Sequence, residues 1–120
     1  MRRWVALILA VVVAALTAAC QGAIVMTAVT EIPTLIFYAR AGCHLCDEAR
    51  DDLQAVLEER VKRGDPIARV RVINIDTEPL IRERYNDLIP VMIVGATELP
   101  LAMGRRTIGR FLDKALGRLA

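Results

Sequence analysis

The sequence predicts an α/β fold: a four-stranded mixed sheet flanked by three helices, with an apolar leader helix in front of it. Three observations carry this reading. Two apolar, β-rich runs bracket one long stretch of helical periodicity. A later pair of short runs turns at Gly95-Ala96. The chain then closes on a stretch with one apolar face. The 120 residues are a one-domain length.

Thr34-Leu35-Ile36-Phe37-Tyr38-Ala39 reads as a buried strand. Arg40-Ala41-Gly42 is a turn. From Cys43 to about Arg60 the apolar residues Leu45, Ala49, Leu53, Val56 and Leu57 recur at three- and four-residue steps, the spacing of an amphipathic helix. Gly64-Asp65-Pro66 stops it. Arg69 to Asp76 alternates as a second strand. Glu78-Pro79 opens a short helix through Tyr85, because proline fits a first helical turn. Val91 to Val94 is a third strand and Glu98 to Met103 an edge strand. Ile108, Phe111, Leu112, Ala115 and Leu119 place one apolar face on a last helix. The order is β-α-β-α-β-β-α. Its first strand–helix–strand unit needs a crossover and implies a parallel pair, and its last two strands form a hairpin.

The organisation is a leader over residues 1–25 and a domain over residues 26–120. Arg2 and Arg3 precede an unbroken run of apolar or small residues from Trp4 to Ala19, with Thr17 its one polar side chain. A basic start and an apolar stretch fit a secretory signal or a membrane anchor. Leu16-Thr17-Ala18-Ala19-Cys20 resembles the end of a bacterial lipoprotein signal, which makes Cys20 a candidate for lipidation. The favoured location is therefore membrane-associated or extracytoplasmic through residues 1–20. The alternative is a cytoplasmic domain translated from Met26. Of the 16 basic residues two lie in the leader, so the rest balances the 14 acidic ones. That balance, with one Trp and two Phe, argues against a nucleic-acid partner.

Three cysteines are too few for a disulfide framework. Two of them, Cys43 and Cys46, stand three apart at the strand-to-helix turn. The first turn of a helix has unpaired N–H groups and a partial positive charge, and both favour a thiolate. Two intervening residues bring the second sulfur to the first across one turn. In this reading Cys43 attacks a disulfide and Cys46 resolves the mixed disulfide. His44 is beside the nucleophile and, when protonated, lowers its pKa further; Asp47 and Glu48 oppose it. Two other readings of the pair stay open: buried cysteines without chemistry, or ligands of a metal or a cluster, for which Cys43, His44 and Cys46 give at most three donors where structural zinc takes four. Ile89-Pro90 opens the third strand, where proline is tolerated. A cis bond there would turn the N–H and C=O of Ile89 toward the helix that begins at Cys43.

The segment from Tyr38 through Gly42-Cys43-His44-Leu45-Cys46-Asp47, with Ile73-Asn74-Ile75-Asp76 and Ile89-Pro90-Val91, resembles the glutaredoxin-like branch of the thioredoxin superfamily, in particular a short bacterial form with a Cys-His-Leu-Cys site. The resemblance covers roughly Pro33 to Leu119. It implies a thioredoxin/glutaredoxin-like fold and a disulfide oxidoreductase with no bound cofactor. It makes Cys43 the nucleophile, Cys46 the resolving thiol and Pro90 a cis-proline. It sets Arg40 where relatives hold a carboxylate of glutathione, and Ile89 where they meet substrate. The implied partners are protein disulfides or small thiols and a second redox protein that donates or withdraws electrons. The sequence departs from the family at Leu88-Ile89-Pro90, where Thr-Val-Pro is usual, and at Gly104-Arg105-Arg106, where a second glycine and an aspartate are usual. The standard grip on glutathione as co-substrate is therefore missing.

Overall fold

The computed structural model describes residues 31–119. The expected leader helix, Cys20 and Met26 lie outside them. Among the described residues no helix is long and apolar enough to cross a membrane.

The strands are β1 (Thr34–Ala39), β2 (Arg69–Asn74), β3 (Val91–Val94) and β4 (Thr97–Leu99); the helices are α1 (His44–Arg63), α2 (Pro79–Tyr85) and α3 (Arg105–Leu116). The sheet order is β2-β1-β3-β4. β1 and β2 run parallel, joined by α1 as a crossover, whereas β1–β3 and β3–β4 are antiparallel. The expected four-stranded mixed sheet and three helices are thus present.

Strand alternation divides the apolar residues between two faces. Leu35, Phe37 and Ala39 of β1 and Met92 and Val94 of β3 pack with Ala49, Leu53 and Val56 of α1 and with Ile108, Phe111 and Leu112 of α3. Tyr38 and Val91 point the other way and pack with Ile75 and Tyr85. The rings of Tyr38 and Tyr85 lie 4.9 Å apart, and burial pushes the Tyr85 phenol above its ordinary value of 10.0, with Glu98 adding to it. Each fully buried side chain of Phe or Leu size contributes about 1.5–3 kcal/mol relative to exposure, so the larger cluster under α1 and α3 dominates.

Five features differ from the sequence expectation, each for a local reason. Leu45, expected on the apolar face of α1, is exposed. The buried stripe is Cys46, Ala49, Leu53, Val56 and Arg60, which is one residue out of phase with Leu45 and leaves Cys46 inside. α1 also runs to Arg63, where Gly64 adopts a left-handed φ of 77° and turns its N–H back onto the carbonyls of Arg60 and Val61. β2 ends at Asn74, whose Oδ1 accepts the N–H of Asp76 at 3.0 Å and starts a 3-10 turn over Ile75–Thr77. β4 stops at Leu99 because Pro100 has no N–H for the ladder. Leu119, expected on the apolar face of α3, is exposed past the end of that helix at Gly117.

Candidate redox site

Three connecting segments meet at one end of the sheet. The register pairs Tyr38 with Val91 and Ala39 with Asn74. The loop from Ala39 to Cys43, the loop ending at Pro90 and the turn after Asn74 therefore leave the sheet side by side. β1 has a parallel neighbour on one side and an antiparallel one on the other. Ligands of open α/β sheets bind beyond the carboxyl ends of strands at such a change of direction.

Cys43 is the N-cap of α1, with extended backbone (φ −86°, ψ 104°). Its N–H reaches the Arg40 carbonyl at 3.3 Å, closing the Arg40–Cys43 turn, and its carbonyl accepts the N–H of Asp47 at 3.2 Å. Gly42 supplies the positive φ of 75° that this turn requires. The Sγ of Cys43 accepts the backbone N–H of Cys46 at 3.1 Å. The two cysteines are joined as a disulfide. Their surroundings differ: Cys46 is 3% exposed on the main core, whereas Cys43 sits half-buried on its rim. His44 is exposed and its imidazole is 3.0 Å from the Glu48 carboxylate, one turn along the helix.

The Ile89-Pro90 bond is cis, as the family resemblance implies. The carbonyls on either side of Ile89 are occupied, since Leu88 O accepts the Leu101 N–H at 2.9 Å and Pro90 O accepts the Ala102 N–H at 2.7 Å. Among the described residues the N–H and C=O of Ile89 itself make no backbone hydrogen bond. Ile89, half-buried, packs on the same cluster that holds Cys46 and is rimmed by Cys43.

Arg40 is drawn into a network that no spacing in the sequence announces. Its Nε donates to both carboxylate oxygens of Asp76, at 3.1 and 3.0 Å, and its Nη2 donates to Asn86 Oδ1 at 2.5 Å. Arg82 adds a longer ion pair to Asp76 at 3.5 Å. The network ties the thiol-bearing turn to the 3-10 turn and to the end of α2. Asp76 was legible as part of the family pattern, but its partner was not, because the two residues are 36 positions apart. Arg105, on the segment that lacks the usual glutathione grip, turns to Asp52 at 3.4 Å. Among the described residues no group of three or more His, Cys, Asp or Glu side chains could hold a metal ion.

Comparison with known proteins agrees with this geometry. No curated protein matches the chain. Among solved structures, the X. campestris protein XcR50 is 25% identical with a TM-score of 0.54, over 68% of this chain and 97% of that one. Protein Ne2328 from Nitrosomonas europaea is 29% identical with a TM-score of 0.52, over 69% of this chain and 94% of that one. A malarial protein at 11% identity and a TM-score of 0.52, over 72% of this chain and 99% of that one, shares the fold alone. The family described as Glutaredoxin-like domain (DUF836) matches residues 34–116, from the first strand to the end of the last helix, so the chain belongs to that family.

Proposed function

We propose that the protein is a thiol–disulfide oxidoreductase working through the Cys43/Cys46 couple. One observation carries the reading. Cys43 Sγ sits at a helix N-cap, receives a backbone N–H from Cys46, and stands on the rim of the core beside a buried second sulfur. In the reduced protein the same N–H and the helix dipole favour a Cys43 thiolate. That thiolate attacks one sulfur of a substrate disulfide; the S–S bond breaks and the departing thiolate takes a proton. The Cys46 thiol loses its proton to solvent, its thiolate attacks Cys43 Sγ and closes the Cys43–Cys46 disulfide, and the second substrate sulfur leaves as a thiolate that takes a proton from solvent. Two electrons have passed to the substrate, and a second dithiol, small or protein-borne, returns the site to its reduced form.

Ile89 supports an extended substrate, because its own N–H and C=O make no backbone hydrogen bond among the described residues, beside the cis-proline. Leu45, Leu88 and Leu101 are exposed on the segments that bear the thiols and the proline loop. An apolar rim of this kind suits a protein disulfide better than a small charged thiol. Arg40 would offer its remaining guanidinium N–H groups to a substrate carboxylate, and His44 would support the thiolate when protonated. The leader ending at Cys20 supports a membrane-tethered location, which the mass of the native N-terminus tests.

The test of the central claim is equilibration against dithiothreitol buffers together with insulin reduction. A reversible two-electron couple is expected, with activity lost in Cys43→Ser and a trapped mixed disulfide in Cys46→Ser. Insulin reduction that survives Cys43→Ser would sink the proposal.

A further inference from the structure

The far edge of the sheet, away from the thiols, has a second set of unspent groups. β2 pairs with β1 on one side and, among the described residues, with no strand on the other. The N–H of Arg69 points to β1, where it donates to Pro33 O at 2.8 Å. Backbone direction alternates along a strand, so Val70 and Val72 turn their N–H and C=O groups outward. Their side chains are 38% and 45% exposed, unusual for valines in a sheet.

These two valines border an apolar groove of about 450 Å³ between β2 and α1. Phe37 and Leu53, both buried, form its floor, and Leu57 and the 60%-exposed Val61 form its far wall. The opposite face of β2 has different chemistry. Arg69 and Arg71 are exposed there, paired in register with Thr34 and Ile36. Neither has an ion-pair partner among the described residues. Open edges are normally blunted by proline, by a bulge, by a covering element or by charged side chains. β2 has its charges, Arg69 and Arg71, on one face only; the groove face is mainly apolar, with Arg50, Gln54 and Glu58 of α1 along its border.

We propose that β2 is a docking edge for an extended peptide segment of a partner protein in which apolar residues alternate with Asp or Glu. A strand added to β2 would bond through the backbone of Val70 and Val72. Its apolar side chains would enter the groove beside Leu57 and Val61, and its carboxylates would lie on the other face against Arg69 and Arg71. Charge selects this occupant over a second copy of the chain. An antiparallel β2–β2 pair that sets Val70 beside Val70 or Val72 puts Arg71 opposite Arg69 or Arg71, which is destabilising. The inference is independent of the thiol chemistry, since no residue of the edge belongs to the redox site.

The experiment uses the full chain and two blocked seven-residue peptides, one alternating Val and Glu, the other Val and Lys. Titration is followed by amide shifts and hydrogen exchange. The Val–Glu peptide is expected to shift and protect the Val70 and Val72 amides, with the Val–Lys peptide at least about tenfold weaker. In the double variant Arg69→Glu, Arg71→Glu the preference reverses, a gain that misfolding cannot mimic. Insulin reduction stays unchanged in that variant, which separates this result from any failure of the redox reading. Equal binding of both peptides, or no binding of either, overturns the proposal. So does protection of Val70 and Val72 in the free monomer, the mark of another part of the chain on the edge, or protection that rises with protein concentration, the mark of a second copy.

Discussion

The two ends of α1 are each held by an arginine, and they are held differently. At the N-terminal end Arg40 reaches Asp76 and Asn86 from the side of the thiol turn, with 30% of its side chain still exposed. At the C-terminal end Arg60 is fully buried. Its Nε donates to Pro66 O at 2.7 Å, its Nη1 to Asp113 Oδ1 at 2.6 Å and its Nη2 to Gly117 O at 2.5 Å. A buried guanidinium persists only where its donors are matched, and here acceptors from the loop after α1 and from the end of α3 meet it. The C-terminal end is thereby locked to α3, while the end that bears the Cys43–Cys46 disulfide is braced by a network open to water. Under the proposed function the site would admit a substrate and exchange a disulfide for two thiols, so loose bracing suits that end and the lock suits the far end.

Three measurements break or sharpen that contrast. Arg60→Ala should cost the most, about 3–5 kcal/mol in urea denaturation, because it strands Asp113 and two carbonyls and removes the buried carbons of the side chain. Arg40→Gln should cost less, about 0.5–1.5 kcal/mol, since water can replace the lost partners of Asp76 and Asn86. The Arg40 effect should shrink in high salt and the Arg60 effect should not. An Arg40 loss as large and as insensitive to salt as that of Arg60 would erase the distinction between the two ends.

The smallest effect should come from Asp65, beside the locked end. Its Oδ2 accepts from Arg63 Nε at 2.9 Å and its Oδ1 from the Leu119 N–H at 3.1 Å. The Arg63 hydrogen bond first, then the Leu119 N–H and the charges of Arg63 and Arg60, hold its carboxyl below the ordinary 3.8 despite an opposing effect of burial. A depressed folded pKa stabilises the fold above the unfolded value of about 3.9 and loses that stability as the pH falls through the folded value. Asp65→Asn should therefore be less stable than the parent at pH 7, with the gap closing below pH 3.8. A gap that is constant from pH 7 into acid would exclude the carboxylate charge as its source.

The two edges of the sheet differ in a comparable way. β4 ends after three residues at Pro100, and the segment that follows turns back to bond Leu88 and Pro90. β2 keeps six residues in register with β1 and leaves its outer side unpaired among the described residues. The short edge serves the proline loop of the candidate redox site; the long one is where we place the peptide.

Much of this molecule is written locally in the sequence. The seven main elements and their order follow from hydrophobic period, from Gly64 and Gly95 at turns, and from Pro79 at a helix start. The Cys43–Cys46 pair at a helix N-terminus needs only a strand, a turn and a helix to be legible. Other features required contacts across the chain. Periodicity gave α1 its apolar face but misplaced Leu45 and passed over Cys46, because a stripe three or four residues wide fixes the phase of a helix only to within a residue. Nothing in the local spacing marks Arg60 for burial, and only the approach of Asp113 and Gly117, 53 and 57 positions away, compensates the buried guanidinium. The partners of Arg40, 36 and 46 positions away, are hidden for the same reason. Sequence pattern reports interactions between neighbours along the chain. A matched buried charge, and an edge left without its strand, are properties of residues that meet only when the chain has folded.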